Sequence, residues 1–518
     1  MPNRSTDELF QLIKSLEKSE KRNFKLFVKR MGGDADLKIV QLFDALEKIN
    51  EYDDEAILKK ITAIKRQQLP NLKAHLYKQI LASLRAAKEH PHIEMQLYEQ
   101  LSYARILYSK GLYLQSLKIL DKAKQAAISA KQSAFVLLVL DFEKKIEALH
   151  VTRSIENRAE LLSVESEKII QELEISSQLA NLSLRLYSWY TKLGHARDEK
   201  DTMAIKLFFE ANLPVYDVKH LSFYEKMYLY QSYTWYNFIL QDLRMFYRYT
   251  QKWLDLFEAE PAMKSVEPVQ YIKALHNLLN AHFDTNNYSK FEAVLKQFED
   301  FATSSVAEAN ANTRIQSFVY LSLAQINKHF LRGTFTDGIK LVPAIEEKLE
   351  EYALHLDGHR IMIFYYKIAC LYFGSGDNEK AIDYLNKIIN QKYTLRTDLQ
   401  CYARLLHLIA HYELGNYNLL EYLIKSVYRF MANMKNLSVV EEEIFKFLRR
   451  SFTLSRSKII PAFKALKATL EKYERNPLET RSFMYLDIIA WLESKIQNIP
   501  VQQVRRMRYM SKMKKSQI

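Results

Sequence analysis

The sequence predicts an all-α protein built as a solenoid of antiparallel helix pairs. Three observations indicate this fold class: glycine is scarce, several glycines lie between amphipathic helical runs, and a similar side-chain pattern surrounds them. Only 10 of the 518 residues are glycine, well below the average usage of about 7%. With only 10 prolines besides, the chain has little of the turn chemistry that a β-sheet needs.

The glycines between helical runs mark predicted turns. A helix ends readily at a residue that adopts a positive φ, and glycine does so without steric cost. Asn286 and the Gln241-Asp242 pair are predicted to serve as turns in two further repeats. The five predicted turn glycines are Gly111, Gly194, Gly333, Gly376 and Gly415.

Residues 1–92 are predicted to form a small, basic N-terminal region of about five short helices. Ser5 and Glu8 fit the capping-box pattern at the start of the first helix. Pro70 is predicted to open the last of these helices, which reaches Lys88.

From residue 93 a pattern of large and small residues recurs around each turn. Small residues let two helices approach, and large residues fill the space between them. The segments YSKGLYLQSLKILDKA and YFGSGDNEKAIDYLNKI show the pattern best, and they resemble the tetratricopeptide repeat (TPR) family. The resemblance implies a right-handed, TPR-like superhelix over 93–497 whose concave groove binds a protein or peptide. Successive turns from Asn286 lie 47, 43 and 39 residues apart, against 34 in a standard repeat, so the superhelical pitch is left open.

The C-terminal part is predicted to close the array. We expect one more helix pair at about 438–474 and a helix at 478–497, with Pro461 and Pro477 near helix starts. The final residues, 498–518, are basic and are predicted to be a disordered tail.

The resemblance also implies groove residues on one face of the first helix of each pair. Aromatic side chains there would anchor a partner, and polar side chains would give specificity. An aromatic residue three positions before the turn recurs in six repeats, and packing of the turn explains it more readily than peptide binding does. Asn280 and Asn327 share one offset in adjacent repeats, which favours the groove. The predicted groove residues are Tyr98, Arg105, Tyr108, Tyr228, Gln231, Trp235, Phe238, His276, Asn280, Phe283, Tyr320, Asn327, Phe330, Tyr366, Phe373, Tyr402 and Tyr412.

An alternative function rests on charge. The chain has a formal net charge of +14, and a basic region ahead of a repeat array is similar to bacterial regulators that bind nucleic acid through an N-terminal module. A solvated face, or a surface that docks on an acidic part of the same chain, is the competing interpretation. The basic residues, which follow one another without an intervening acid, are Lys59, Lys60, Lys65, Arg66, Lys73, Lys78, Arg85 and Lys88.

Patterns for catalysis, cofactors or metals are missing from the sequence. It contains no GxxxxGK[ST] or GxGxxG motif and no cysteine spacing typical of zinc sites. His407 and His411 are spaced as an i, i+4 pair, but other repeats place Leu or Tyr at the His411 offset, which indicates packing. We therefore expect a non-enzymatic protein without cofactor or metal.

The expected location is the cytoplasm, without membrane association. The N-terminus has no continuous apolar segment of the kind found in signal peptides. The longest strongly apolar stretch, 134–140, is much shorter than the roughly 20 residues that a membrane span needs. Two cysteines, Cys370 and Cys401, cannot form a disulfide framework, which favours a reducing compartment.

Overall fold

A computed structural model of the chain describes most of the sequence, and the described residues contain helices and no strand, as predicted. Ser5, Lys88 and Pro477, which entered the predictions above, lie outside the described residues. The chain divides into two compact units, residues 1–99 and 100–518. The described ranges are 7–31, 34–61, 65–86, 93–150, 157–391, 396–434, 437–452, 454–474, 476 and 478–516.

In the described residues ahead of residue 93, the first unit has five α-helices, as the sequence predicts, and a short 3-10 helix at Arg66–Gln68. The first is capped by Asp7, whose carboxylate accepts a hydrogen bond from the Phe10 amide at 2.9 Å. Phe24 and Phe43 pack at the centre with ring centroids 4.7 Å apart. These helices are α1 (Glu8–Ser15), α2 (Lys18–Met31), α3 (Asp34–Lys48), α4 (Asp54–Lys60) and α5 (Leu69–Arg85).

The rest of the chain continues as helices joined mostly by short turns, and successive helices pack on one another. Their bounds up to the middle of the second unit are α6 (Ile93–Ser109), α7 (Tyr113–Ser129), α8 (Ser133–Leu149), α9 (Arg158–Leu193), α10 (Glu199–Asn212), α11 (Phe223–Ile239), α12 (Leu243–Ala259), α13 (Met263–Val266), α14 (Pro268–Asp284), α15 (Tyr288–Ala302), α16 (Ser305–Glu308) and α17 (Ala311–Arg332). The remaining helices are α18 (Phe335–Ile339), α19 (Val342–Glu351), α20 (Gly358–Ser375), α21 (Asn378–Ile389), α22 (Thr397–Glu413), α23 (Tyr417–Asn433), α24 (Val439–Ser451), α25 (Arg456–Leu470), α26 (Thr480–Tyr485), α27 (Ile488–Gln497) and α28 (Val501–Ser516).

The predicted turn residues have the backbone conformation expected of them. All five turn glycines adopt a positive φ, between 64° and 95°. Gln241 and Asn286 do the same at 59° and 52°, although neither is glycine. The turn assignments are therefore confirmed at each of these positions.

The C-terminal part departs from the prediction in three ways. Pro461 lies inside α25 and not at its start. The single helix expected at 478–497 is broken at Leu486, which is extended, and Asp487 caps the new helix α27. Residues 501–516, expected to be part of a disordered tail, form helix α28.

Helix α28 is held in place by contacts with α17, α20 and α27. Val504 is buried, and the Arg505 guanidinium pairs with Asp487 at 3.0 Å. Arg508 pairs with Glu493 at 2.8 Å. Two of the basic residues in this segment thus have acidic partners, Asp487 at the cap of α27 and Glu493 within it.

Six helices of the second unit contact one another in a closed circle, which we call the helix ring: α9, α11, α14, α17, α20 and α22. Helix α9 packs on α11, and Gln231 of α11 donates a hydrogen bond to Gln270 of α14. Helix α14 then packs on α17, α17 on α20, and α20 on α22. The set closes where α22 contacts α9, since the Arg396 amide donates to the Thr191 carbonyl at 3.3 Å.

Side chains on helices of the ring that are not neighbours influence one another's ionisation. Burial raises the pKa of Tyr187 in α9, Tyr320 in α17 adds to the rise, and the positive charge of Arg360 in α20 opposes it. Tyr187 is nevertheless 42% exposed. The ring therefore brings distant helices together while solvent retains access to this side chain.

Candidate ligand-binding site inside the helix ring

The centre of the candidate site is Lys367, on α20. Its ammonium group donates a hydrogen bond to Asn327 Oδ1 at 2.8 Å. The same group lies 5.1 Å from the ring centroid of Phe283 and 5.1 Å from that of Phe330, within cation–π range. Three predicted groove residues from two adjacent repeats thus surround one lysine.

Three more predicted residues adjoin this cluster. The Asn280 amide nitrogen lies 3.0 Å from His276 Nε2, and the His276 and Tyr320 ring centroids are 4.3 Å apart. Burial, reinforced by the charges of Lys367 and Lys273, lowers the pKa of His276 to about 3. The imidazole is therefore neutral near pH 7, so its Nε2 can accept the Asn280 hydrogen bond.

One carboxylate stands close enough to affect Lys367. Burial raises the pKa of Asp284 to about 7, and the charge of Lys367 partly opposes that rise. Burial also lowers the pKa of Lys367 itself. Both groups are in a partly desolvated environment, where electrostatic interactions are stronger than in bulk water.

Lys367 was missed in the sequence analysis, although the sequence holds a signal for it. It is a lone charge in the apolar stretch IMIFYYKIACLYF. A charged residue inside such a helix is seldom buried without a partner. The repeat offsets do not identify Lys367, because it does not lie at one of the positions that recur around the turns.

Four predicted groove residues near the end of the array are buried, as Asn327 and Phe330 beside Lys367 also are. Tyr402 is 0% exposed, and its hydroxyl lies 3.2 Å from a carboxylate oxygen of Glu441 on α24. Helices beyond α22 cover the face that a shorter array would expose. The four residues are Tyr366, Phe373, Tyr402 and Tyr412.

On α11 the predicted residues pack mainly against their neighbours. Gln231 is buried and hydrogen-bonded to Gln270 at 3.0 Å. The Trp235 ring lies 4.9 Å from that of Tyr187, and the Phe238 ring lies 4.7 Å from that of Phe246. Tyr228, the remaining predicted residue of this helix, is half-buried.

The predicted residues of α6 lie on a helix outside the ring. Arg105 and Tyr108 both pack on Phe142 of α8, at 5.3 and 5.5 Å from its ring centroid. Tyr98, by contrast, is 57% exposed. The six helices of the ring thus hold the Lys367 cluster without a contribution from α6.

The recurrent aromatic before the turn does pack the turn in several repeats. Tyr108 lies 5.6 Å from Tyr113 across its turn, centroid to centroid. The same relationship holds for Phe330 with Phe335 at 5.7 Å and for Tyr412 with Tyr417 at 6.0 Å. Turn packing therefore accounts for part of this pattern, and Phe283 and Phe330 additionally face Lys367.

In the first unit the basic residues are mostly exposed. Lys73 differs, because it pairs with Asp7 and with the Tyr52 hydroxyl. Lys88 lies outside the described residues. The exposed members are Lys59, Lys60, Lys65, Arg66, Lys78 and Arg85.

His407 and His411 lie edge to face, with ring centroids 4.4 Å apart. Burial lowers the pKa of His407 to about 4, and His411 Nδ1 lies 3.0 Å from the Asn416 amide nitrogen. Within the described ranges, no group of three or more His, Cys, Asp or Glu residues is placed to hold a metal ion.

No known protein family matches the chain, and no curated protein matches it as a relative. In the part of the chain that the structure describes, every helix is either too short or too polar to cross a membrane.

Proposed function

We propose that the protein is a non-enzymatic binding protein that holds a protein or peptide partner inside the helix ring. In this proposal the array is a right-handed, TPR-like stack of antiparallel helix pairs. The observation that carries it is the convergence of Phe283, Asn327 and Phe330 on Lys367, with Asn280 lying against His276 on the same helix as Phe283. These residues come from two adjacent repeats and were selected as groove residues from the sequence alone.

The cluster offers the groups that a peptide needs. Asn280 Oδ1 and the Tyr320 hydroxyl have no hydrogen-bond partner among the described residues, and both side chains are half-buried. A carbonyl or amide of a peptide backbone can satisfy each of them. Phe283, which is half-buried, supplies apolar contact area beside these polar groups.

The experiment is a binding comparison with peptides selected on the wild-type protein from a random display library. The test variant combines Asn280→Ala with Tyr320→Phe, which removes the two unpaired polar groups. The control variant combines Asn433→Ala with Tyr422→Phe, two exposed positions on α23. We expect at least tenfold weaker binding by the test variant, about 1.4 kcal/mol, and unchanged binding by the control. Equal affinity of the test variant and the wild type would overturn the proposal.

A second candidate function is nucleic-acid binding by the first unit, favoured by the six exposed basic residues. The full chain should then shift labelled DNA or RNA in a gel, with an affinity that falls steeply as salt rises. Replacing Lys59, Lys60 and Lys65 by Gln should weaken the shift. Replacing the exposed Lys118, Lys122 and Lys296 by Gln is the charge-matched control. If the full chain gives no shift at about 50 mM salt, this function is excluded.

A further inference from the structure

Helix α28 crosses the turn ends of two adjacent repeats, although it lies far from them in sequence. Near its start, Gln502 Oε1 accepts a hydrogen bond at 2.9 Å from the hydroxyl of Thr336, which lies just beyond the turn that follows α17. Further along, the Tyr509 ring meets the ring of Tyr288 edge to face, with centroids 4.8 Å apart. Tyr288 begins α15, directly after the turn that follows α14. Helix α28 therefore extends from one of these turns to the other.

Between these two contacts, the backbone of α28 lies against the turn that contains Gly333. A Cβ atom at Gly333 would come within 2.4 Å of the Arg506 backbone nitrogen, so only a residue without a side chain permits this close approach. The Arg505 guanidinium reaches the same helix end, where its Nε and Nη2 atoms donate hydrogen bonds to the Phe330 carbonyl at 3.4 and 3.3 Å. Helix α28 thus binds the backbone of a residue whose ring faces Lys367.

Arg505 acts as a cap for the C-terminal end of α17. The last carbonyls of a helix have no amide partner within the helix, and a cation is favoured at this negative end of the helix dipole. The Thr334 amide, four residues after Phe330, donates to the His329 carbonyl instead. The guanidinium also pairs at 3.0 Å with Asp487, the residue that caps α27. One side chain therefore connects the start of α27 with the end of α17.

The two repeats that α28 connects are those that form the cluster around Lys367. Phe283 lies in the last turn of α14, and Phe330 lies in the last turn of α17. Each ring centroid is 5.1 Å from the Lys367 ammonium group. The separation of the two rings therefore depends on the spacing of the two turns that α28 bridges.

Little of helix α28 is buried. Among its residues whose side chains the structure describes, only Val504 is buried. Most of its other contacts are hydrogen bonds and ion pairs near the surface, which water and salt weaken. An element with few buried apolar contacts can detach while the rest of the protein stays folded. Attachment of α28 can therefore change without unfolding of the array.

We propose that helix α28 is a strap that fixes the spacing of these two repeats, and that Arg505 is a positioning residue for ligand binding that acts through Phe330. This inference rests on the proposed function, because the cluster around Lys367 is the site that the strap keeps in shape. While the strap is attached, Phe283 and Phe330 keep their positions beside Lys367. When it detaches, the two turns are free to move apart, and the affinity for the ligand falls.

The test uses the full chain and four variants. Arg505→Gln removes the link between α28 and the end of α17, and Tyr509→Ala removes the contact with Tyr288. Arg505→Lys keeps a positive charge beside Asp487 and the Phe330 carbonyl, and it is the conservative variant. Arg506→Gln, at the neighbouring exposed position on the same helix, is the matched control.

Two quantities are measured on each variant. Calorimetry with peptides selected on the wild type gives the affinity, and amide hydrogen exchange gives the protection of α28 and of the two turns, 283–288 and 330–336. We expect Arg505→Gln and Tyr509→Ala to bind the peptides at least about tenfold more weakly, with faster exchange in all three segments. Arg505→Lys should recover most of the affinity that Arg505→Gln loses, and Arg506→Gln should match the wild type in both measurements.

The possible failures are distinguishable. If exchange shows that α28 is detached and the peptides still bind as tightly as to the wild type, the strap is overturned and the proposed function stands. Unchanged exchange of α28 in both Arg505→Gln and Tyr509→Ala overturns its anchoring by these residues. An equal loss of affinity in Arg506→Gln would assign the effect to charge alone and overturn the positioning role of Arg505.

The exchange measurement tests the strap even without a ligand. If no peptide binds the wild type, the proposed function is overturned. Faster exchange at the two turns after detachment of α28 then still supports the strap, and unchanged exchange there overturns it. Circular dichroism and thermal unfolding identify any variant that fails to fold, and substitutions at two separate contacts of α28 give independent readings.

Discussion

The guanidinium of Arg396 donates two hydrogen bonds to the carboxylate of Asp398, at 2.8 and 2.9 Å, and both side chains are 5% exposed. The same guanidinium lies 4.9 Å from the ring centroid of Tyr190 on α9. The Arg396 amide also donates to the Thr191 carbonyl. This buried pair therefore stands at the contact that closes the helix ring.

Arg396→Met should destabilise the protein by about 3–5 kcal/mol, because the Asp398 carboxylate stays buried without its guanidinium partner. The free energy of unfolding in urea measures this loss. Adding Asp398→Asn should recover part of it, since the second substitution removes the buried charge. Lys425→Met, which breaks an exposed pair with Glu421, should cost about 1 kcal/mol or less. A loss below about 1 kcal/mol for Arg396→Met would contradict the closing role of the pair.

Gly333, in the turn that follows α17, lies close to the backbone of helix α28. A Cβ atom at Gly333 would lie 2.4 Å from the Arg506 backbone nitrogen and 2.8 Å from the Arg505 backbone carbon. Gly333→Ala should therefore displace α28, and amide hydrogen exchange over 501–516 should accelerate.

Gly376→Ala is the matched control for Gly333→Ala. Gly376 has a φ of +95°, but a Cβ there would meet no atom within 4 Å. The control should therefore carry only the cost of the left-handed conformation, roughly 1–2 kcal/mol, with α28 still protected. Equal protection of α28 in both variants would show that Gly333 does not position it.

Local features of this fold were predictable, and features set by distant packing were not. The positive φ of Gly376 was predictable because it depends only on the few residues on either side of it, which belong to two helical runs. Helix α28 depends on the pairing of Arg505 with Asp487 and on the burial of Val504. Neither contact can be predicted from the composition of the basic segment alone. The burial of Tyr402 depends in the same way on helices that follow it in the chain.

The candidate site was likewise predictable only where it depends on a pattern that repeats along the sequence. Repeat offsets identified Asn280 and Asn327, because equivalent positions in adjacent repeats project from the same face of their helices. The offsets could not identify Lys367, because it lies outside the positions that recur around the turns. The closure of the ring, which brings Tyr187 close to Arg360, depends on a contact between segments about 200 residues apart in sequence.

Acid should destabilise the protein through its buried histidines. Their pKa values in the folded state lie far below the ordinary value of about 6.5, so the unfolded chain binds more protons between about pH 4 and 6.5. The free energy of unfolding therefore falls as pH drops through this window, by at most about 1.4 kcal/mol per pH unit for each histidine. The histidines whose pKa burial lowers most are His276, to about 3, and His282, His359 and His407, each to about 4.

Replacing one of these histidines should flatten the acid dependence. His407→Gln removes the proton-binding difference at a residue that is 8% exposed. His220→Gln, at a side chain that is 84% exposed, is the control and should leave the slope unchanged. Urea unfolding between pH 4.5 and 7.5 gives both slopes, and parallel curves for His407→Gln and the wild type would refute the assignment.

Asp284 should give a pH dependence of the opposite sign. Burial raises its pKa in the folded state to about 7, against about 3.9 in an unfolded chain, so the folded protein binds the extra proton between these values. The stability associated with this proton is present at low pH and is lost as pH rises through about 7. Asp284→Asn, which keeps the shape of the protonated side chain, should therefore gain stability relative to the wild type between pH 6 and 8. Asp300→Asn, at an exposed position on α15, should run parallel to the wild type over the same range. If the free energies of unfolding of Asp284→Asn and the wild type differ by a constant amount from pH 5 to 8, the Asp284 carboxyl ionises as it does in water. The surroundings of Lys367 would then be more solvated than its contacts with Phe283 and Phe330 imply.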